Sequence, residues 1–419
     1  PKENWDYTAT QQLILAELNI KGEERKIIMQ APKNGFFYVL DRVTGELLSA
    51  EKFGHVTWAT HVDMTTGRPV ESEFADYQNN GGSYLWPSPF GAHNWQPMSY
   101  SQKTGYIYIP VQSFPAYFTG QKEVRYLENR WNTGVDLNEI RGPQSWVAGR
   151  AVMDALVYGE LVAWDPIKNE RAWTVRHPKP SNGGTLSTAG NLVFQGTWDG
   201  VFSAYDAANG DQLWQYQSDS AILAGPITYE LDGDQYVAVA QGSGGVVMLT
   251  IGDEVRKNTV NQNRLLVFKR GKSEKGLPPI DDSVVEIQPL FSQLDTDDAT
   301  IKNGEYLYHT NCASCHGIDA TSNYVVPDLR YMTKKTHEDF ATIVLGGSLT
   351  HKGMIGFYET LNLDDVNMIH EYLKDKQVSL PEKLEMTFAQ KVEYWFNYAI
   401  AKLGEKYPEI LNATREYSM

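Results

Sequence analysis

The chain has 419 residues, 42% of them apolar, so it is long enough for two to three domains with at least one large core and too apolar to stay disordered. Its 52 acidic against 37 basic side chains leave a formal charge of −15, which excludes nucleic acid as a partner because nothing neutralises phosphate in bulk. No run of the roughly 18 apolar residues that a spanning helix needs is present, so no helix is expected to cross a membrane.

Residues 1–270 read as short strands. The runs Lys26–Gln30, Phe36–Leu40, Tyr106–Pro110, Glu160–Trp164, Leu192–Gln195 and Tyr236–Ala240 are mostly rich in β-branched and aromatic residues and bounded by Gly, Asn or Asp. Two stretches repeat. Ala163–Trp173 and Ala204–Trp214 each carry an aspartate (Asp165, Asp206) 8 positions before a tryptophan, and the copies lie 41 residues apart. A degenerate copy, Leu40–Leu48, lacks the tryptophan, and Ser101–Ile109 resembles a further hairpin. A period near 40 with an Asp-closed turn and a docking indole is what a four-stranded propeller blade needs, and about four blades fit the length. A β-sandwich is the other architecture the repeat alone allows.

Residues 271–300, with Pro278 and Pro279 side by side and little periodicity, read as a linker. From 301 to 378 the texture is helical, with an intermediate helical stretch at Thr336–Leu345 and a last helix at Leu363–Lys374. This stretch holds Cys312-Ala-Ser-Cys315-His316, whose two cysteines are the only ones in the chain. Two thiols three positions apart with an adjacent imidazole form the haem c attachment pattern, in which the thiols add to the vinyl groups and the imidazole binds iron. A redox pair or a disulfide is the plainer alternative. Cytochromes of this type mature outside the bacterial cytoplasm, so a periplasmic location is expected. His309 and His337 are expected at the surface or at helix caps, and Met368 in the core of the last helix. The tail, 379–419, sets Phe388, Val392, Trp395, Phe396, Ile400 and Leu403 largely on one helical face, which is expected to pack on the protein's own surface or, alternatively, to dock another subunit. No secretory leader is read, and because the sequence opens at Pro1 without methionine, a preceding segment is entertained.

Three clusters carry a family resemblance: Trp5-Asp6-Tyr7-Thr8, Ala31-Pro32-Lys33-Asn34-Gly35-Phe36-Phe37-Tyr38-Val39-Leu40-Asp41-Arg42, and Gly91-Ala92-His93-Asn94-Trp95-Gln96-Pro97. In this order, followed by Asn182-Gly183-Gly184-Thr185 and the haem motif, the chain resembles the quinohaemoprotein alcohol dehydrogenases to about residue 375. These are eight-bladed propeller enzymes that use pyrroloquinoline quinone (PQQ). The implied fold is mainly β, a partial eight-bladed propeller of about four blades followed by an all-α class I cytochrome c domain.

The resemblance further implies that Asp6 is the general base, that Lys33 bonds the quinone oxygens, and that Asn94 and Trp95 contact the cofactor. Gly244 and Gly245 would let the chain approach it closely. Thr8 stands where lanthanide-using relatives have a second aspartate, so calcium is the expected metal, near Asp6. Met354, 38 residues after His316, matches the family's Gly-Met position and is the expected second axial ligand of the haem iron, ahead of Met332 and His351. The family's metal-binding Glu and Asn and its vicinal disulfide lie in an amino-terminal half with no counterpart here. A further segment or a second chain would complete the ring, or the fragment is inactive. The implied substrate is a small alcohol and the electron acceptor a periplasmic copper protein or cytochrome c; an electron-transfer or binding protein with a quinone-free propeller is the rival reading.

Overall fold

A computed structural model of the chain describes residues 3–124, 146–245, 263–271, 293–322, 326–379 and 386–414, with positions 126, 132, 134–136, 290 and 291 between them. Most of the 271–300 stretch read as a linker, including Pro278 and Pro279, lies outside the described residues.

The amino-terminal part is built from antiparallel sheets. The first is β1 (Ile14–Ile20), β2 (Glu23–Gln30), β3 (Phe36–Asp41) and β4 (Leu47–Lys52), hydrogen-bonded in that order. A hairpin of β5 (Ala59–Asp63) and β6 (Arg68–Glu71) follows, then β7 (Ser83–Leu85), β8 (Ser99–Tyr100), β9 (Ile107–Ser113), β10 (Ala116–Phe118), helix α1 (Trp146–Leu156), β11 (Tyr158–Asp165) and β12 (Glu170–His177). Strands β8, β9, β11 and β12 make the second four-stranded sheet, while β7 pairs with β10 outside it. The third sheet is β13 (Thr185–Ser187), β14 (Leu192–Gly196), β15 (Val201–Asp206) and β16 (Gln212–Gln217); the fourth is β17 (Ile227–Leu231), β18 (Asp234–Gln241) and β19 (Arg264–Lys269). Four meander sheets in sequence are four propeller blades, as the repeat predicts.

The repeat's chemistry explains the blades. Asp165 Oδ1 accepts the amides of Ile167 and Lys168, and Asp41 Oδ1 those of Val43 and Thr44, each closing the turn between a blade's third and fourth strands. The Trp173 indole lies against Tyr108 of its own blade and donates from Nε1 to the Ala207 carbonyl of the next, 3.1 Å away. Alternate strand residues fill the space between blades: Ile27, Met29, Phe37 and Val39 of the first meet Ile107, Ile109, Val162 and Trp164 of the second, all buried. Helix α1 was not foreseen within this β region.

The helical part contains α2 (Asp298–Asn311), α3 (Ala313–His316), α4 (Lys334–Glu338), α5 (Phe340–Val344) and α6 (Leu363–Val378). Asp297 caps α2 through the Thr300 amide, and Asn362 with Asp365 forms a reciprocal capping box on α6. The two helices cross at Gly304, where an added Cβ would overlap the Met368 carbonyl. Tyr308, Phe340, Val366, Ile369, Tyr372 and Leu373 form the core beneath.

His309 departs from its expected surface position. It is buried against Tyr308 and Tyr372, with its Nδ1 at the Glu305 carbonyl and its Nε2 accepting the Asp319 amide. The ring thereby splices the end of α2 to the loop after the cysteine turn. His337 is half-buried and stacks on His370, with 2.8 Å between their facing nitrogens. Burial, then Lys374, then His337 press the His370 pKa down to about 3, and burial and Lys374 lower that of His337. Unfolded imidazoles take up protons near pH ~6.5. Below that pH the unfolded chain binds protons that the folded pair refuses, so this part should lose stability as pH falls from about 6.5 towards about 3. His370→Phe, which keeps the stacking on Phe340, is expected to reduce the loss. Amide exchange along α6 at two pH values checks this, and an undiminished loss in the variant contradicts it.

The tail folds as α7 (Phe388–Lys406) and α8 (Pro408–Thr414). It does pack on the protein's own surface, but through a different face from the expected one. Tyr398, Ala401 and Leu411 join Trp86, Val152, Ala155 and Leu156, and the Tyr394 hydroxyl donates to Asp154 of α1. Phe388, Val392, Trp395, Phe396 and Leu403 are exposed.

Candidate functional site

The first part of the site is made by loops at one end of the blades. Trp5 and Tyr7 are buried: the Trp5 indole donates to Ala75 O, the Tyr7 hydroxyl donates to Pro87 O at 2.6 Å, and both rings pack on Trp58. With the residues on either side pinned inward, Asp6 between them is turned out at φ 61° and its side chain is 58% exposed. A left-handed aspartate costs about 1–2 kcal/mol and persists only where its surroundings hold it. Lys33, from the β2–β3 loop and only 10% exposed, donates from Nζ to the Asp6 carbonyl (3.0 Å) and to Asp6 Oδ2 (3.1 Å).

Gly91 lies under this lysine. A Cβ there would come 2.5 Å from Lys33 Cγ and 2.6 Å from the His93 carbonyl, and its φ is 79°. The Ala92 amide donates to Lys33 O. His93 is fully buried, and its ring nitrogens face Ala31 O and Gln96 O, each at 2.7 Å. It ties the lysine loop to the loop before β8, while burial lowers its pKa against the pull of the two carbonyls. The sequence alone assigns His93 no role. Gln112 was missed altogether: its Nε2 donates to Phe90 O and Gly91 O, and its Oε1 accepts the Ser181 amide. A glutamine within a strand carries no local signal of such a bridge.

Asn94 spends its amide locally, with Nδ2 on Phe90 O and Oδ1 accepting the Trp95 amide. Trp95 itself is 48% exposed, and its indole lies about 4 Å from where a side chain on Gly245 would begin. The structure therefore brings together Asp6 with Lys33, and Trp95 with Gly245. Gly244 beside them has open space around its Cα. Gly184 and Gly225 both close onto Pro97, where a Cβ on either would overlap the ring, so the loops of successive blades converge there.

These residues suit one side of a flat, polar, anionic quinone: a fixed ammonium, a carboxylate, an exposed indole and open backbone beside it. They do not suit calcium on their own. Among the described residues no group of three His, Cys, Asp or Glu side chains could hold a metal, and calcium takes six to eight oxygens.

The second part of the site is the cysteine turn. Cys312 ends α2, and the amides of Cys315 and His316 both bond its carbonyl, so the two thiols and the imidazole share one turn. Neither cysteine is in a disulfide; Cys312 is buried and Cys315 exposed. His316 is buried and donates from Nδ1 to Pro327 O at 3.0 Å. That bond fixes the tautomer and leaves Nε2 as a lone-pair donor, while burial lowers the ring's pKa and keeps it neutral, as an iron ligand must be. Met354 lies part-buried against the same core, just after Gly353 at φ 91°. The rival His351 is exposed, and Met332 is buried in the core. The donors present fit a covalently held haem.

Among the described residues no helix is long and apolar enough to cross a membrane. The PQQ family profile described as glucose/ethanol/alcohol dehydrogenase, beta-propeller domain, matches residues 2–56 and 55–237. That described as cytochrome C oxidase, cbb3-type, subunit III matches 299–373. The chain is 44% identical over 379 residues to quinohaemoprotein alcohol dehydrogenase ADH IIB of Pseudomonas putida, covering 90% of this chain and 53% of that protein. The solved structure of the enzyme ADHIIG from Pseudomonas putida superposes with a TM-score of 0.80 at 40% identity, over 93% of this chain and 56% of that one. The quinohaemoprotein alcohol dehydrogenase of Comamonas testosteroni gives 0.75 at 35%, over 91% and 55%. The chain thus spans about half the length of the curated relatives it matches. With the propeller profile spread over more than half of its residues and a cytochrome profile matched behind the blades, the chain belongs to the PQQ-dependent dehydrogenase propeller family, on its quinohaemoprotein branch.

Proposed function

We propose that this chain is the carboxyl-terminal half of a PQQ-dependent alcohol dehydrogenase that oxidises primary or secondary alcohols to aldehydes or ketones and passes the electrons through haem c to a periplasmic copper protein or cytochrome c. The observation that carries the reading is the Asp6–Lys33 pair at 3.1 Å, exposed on its aspartate side, in one polypeptide with the His316–Pro327 turn. Bound PQQ supplies a quinone that accepts hydride. Asp6 takes the alcohol's hydroxyl proton, and the Lys33 ammonium, anchored by the Asp6 carbonyl, stabilises charge that develops on the quinone oxygens. Trp95 shapes the pocket wall, Asn94 holds that loop, and Gly244 and Gly245 leave room for the cofactor's edge. Cys312 and Cys315 would hold the haem covalently, and His316 Nε2 and Met354 Sδ would be the donors to its iron, which supplies the one-electron step.

The open sheet faces support the same reading. Ile227, Leu231, Leu265 and Val267 on the last blade, and Leu13 and Leu15 on the first, are exposed apolar side chains at the two ends of the half-ring. Further blades, from a preceding segment or a second chain, would cover them and bring the remaining ligands of calcium. The rival is an electron-transfer or binding protein with no quinone.

The test joins the chain to the amino-terminal half of a relative, supplies PQQ and calcium, and follows the haem absorbance on adding ethanol. Asp6→Asn is expected to slow haem reduction by ~100-fold or more while ascorbate still reduces the haem. Equal rates in wild type and variant, or no reduction by ethanol in either, would favour the rival.

A further inference from the structure

The haem-binding part buries an ion pair that neither the proposed chemistry nor the core requires. Asp328 follows Pro327, whose carbonyl receives the His316 Nδ1 proton. The Asp328 side chain is 2% exposed and that of Arg330 is 7%. This one carboxylate accepts the Ser322 amide (3.3 Å), the Arg330 amide (3.0 Å), Arg330 Nε (3.1 Å) and Arg330 Nη2 (2.9 Å). It therefore ties Ser322 and Arg330 to the residue that follows Pro327.

Stability alone is a poor reason for such a pair. Desolvating two ions costs as much as their attraction returns, and apolar replacements are often neutral or stabilising. Removing one partner is different, because it changes the net charge of a low-dielectric site near the imidazole. Ferric haem carries one more positive charge than ferrous. A net charge shifted positive by loss of the carboxylate favours the ferrous state, and one shifted negative by loss of the guanidinium favours the ferric, whereas the charges of the intact pair sum to zero.

We infer that Asp328 and Arg330 are positioning residues for the haem, orienting His316 through Pro327 and balancing the charge that sets how readily the iron takes an electron. The inference rests on the haem reading above, and the two are tested by different measurements on the full chain matured with haem. Covalent haem content, by the pyridine haemochrome spectrum, tests the reading; the midpoint potential tests the inference. Asp328→Asn is expected to raise the potential and Arg330→Gln to lower it. Each shift should correspond to at least a tenfold change in the reduction equilibrium, about 59 mV for one electron. The double variant should return to within about threefold of wild type. Shifts of the same sign, or a double variant displaced as far as either single, would mean that the pair is only structural and would overturn the inference. If a single variant fails to retain haem, Arg330→Lys decides. It keeps the charge and loses the fork, so a potential within about threefold of wild type supports the inference and a tenfold shift overturns it.

Discussion

Gly91→Ala is expected to unseat Lys33 and to cost the propeller part about 2–5 kcal/mol. Two terms add. The residue has φ 79°, where an L side chain pays about 1–2 kcal/mol. The new methyl would also begin 2.5 Å from Lys33 Cγ, 2.7 Å from Lys33 Cα and 2.6 Å from the His93 carbonyl. Two of those three atoms are backbone, so swinging a side chain does not relieve the overlap, and overpacking of this kind costs about 1–3 kcal/mol. The loop cannot easily slide away either, because the Ala92 amide is bonded to Lys33 O and Gln112 holds Gly91 O. The strain should open the Lys33–Asp6 contact, releasing the ammonium from the place proposed for the quinone. Urea unfolding followed by tryptophan fluorescence gives the stability, and PQQ affinity in the completed ring gives the local effect. Gly105→Ala, also at positive φ but with open space around it, is the control and should show only the conformational term. Equal losses in the two variants would mean that the contact with Lys33 is not tight.

The contrast between these two glycines also shows what was legible beforehand. The blades could be read because Asp165, Trp173, Asp206 and Trp214 repeat local chemistry, a turn closed within three residues and an indole at a fixed offset. The Lys33 loop and the cysteine turn could be read because short motifs carry them. Gly91, His93 and Gln112 also reach loops far apart in sequence, and no local pattern announces those distant partners. Helix α7 shows another limit. Its periodicity marks an apolar face correctly, yet the face that docks is chosen by fit. Ala401 and Gly404 let α8 and the Trp86 cluster approach, and Tyr394 finds Asp154, so the more aromatic side stays outside. Burial of His309 was hidden for a related reason. An imidazole on a polar helix looks solvated until the loop after the cysteines folds back and gives its Nε2 the Asp319 amide.

Replacing both cysteines by serine is expected to abolish covalent haem, and the two single variants should not be equivalent. Cys315 is exposed, so Cys315→Ser removes a thioether and leaves the packing alone. A protein attached through Cys312 and ligated by His316 should remain, holding its haem on a denaturing gel. Cys312 is buried among Tyr308, Ala313 and Met332 and closes the turn that orients His316. Cys312→Ser removes the thioether and also replaces a buried sulfur by a hydroxyl that costs more to desolvate. The carbonyl at 312 still receives the amides of residues 315 and 316, so the turn itself should form, but its anchor to the core is weakened. Haem recovery should therefore rank wild type, Cys315→Ser, Cys312→Ser, and then the double variant at background. The propeller's tryptophan fluorescence should stay unchanged throughout, because the described residues from 298 to 378 contain no tryptophan and build a core of their own. Equal recovery from the two single variants would show that attachment chemistry alone decides retention, and that the buried cysteine's packing adds nothing.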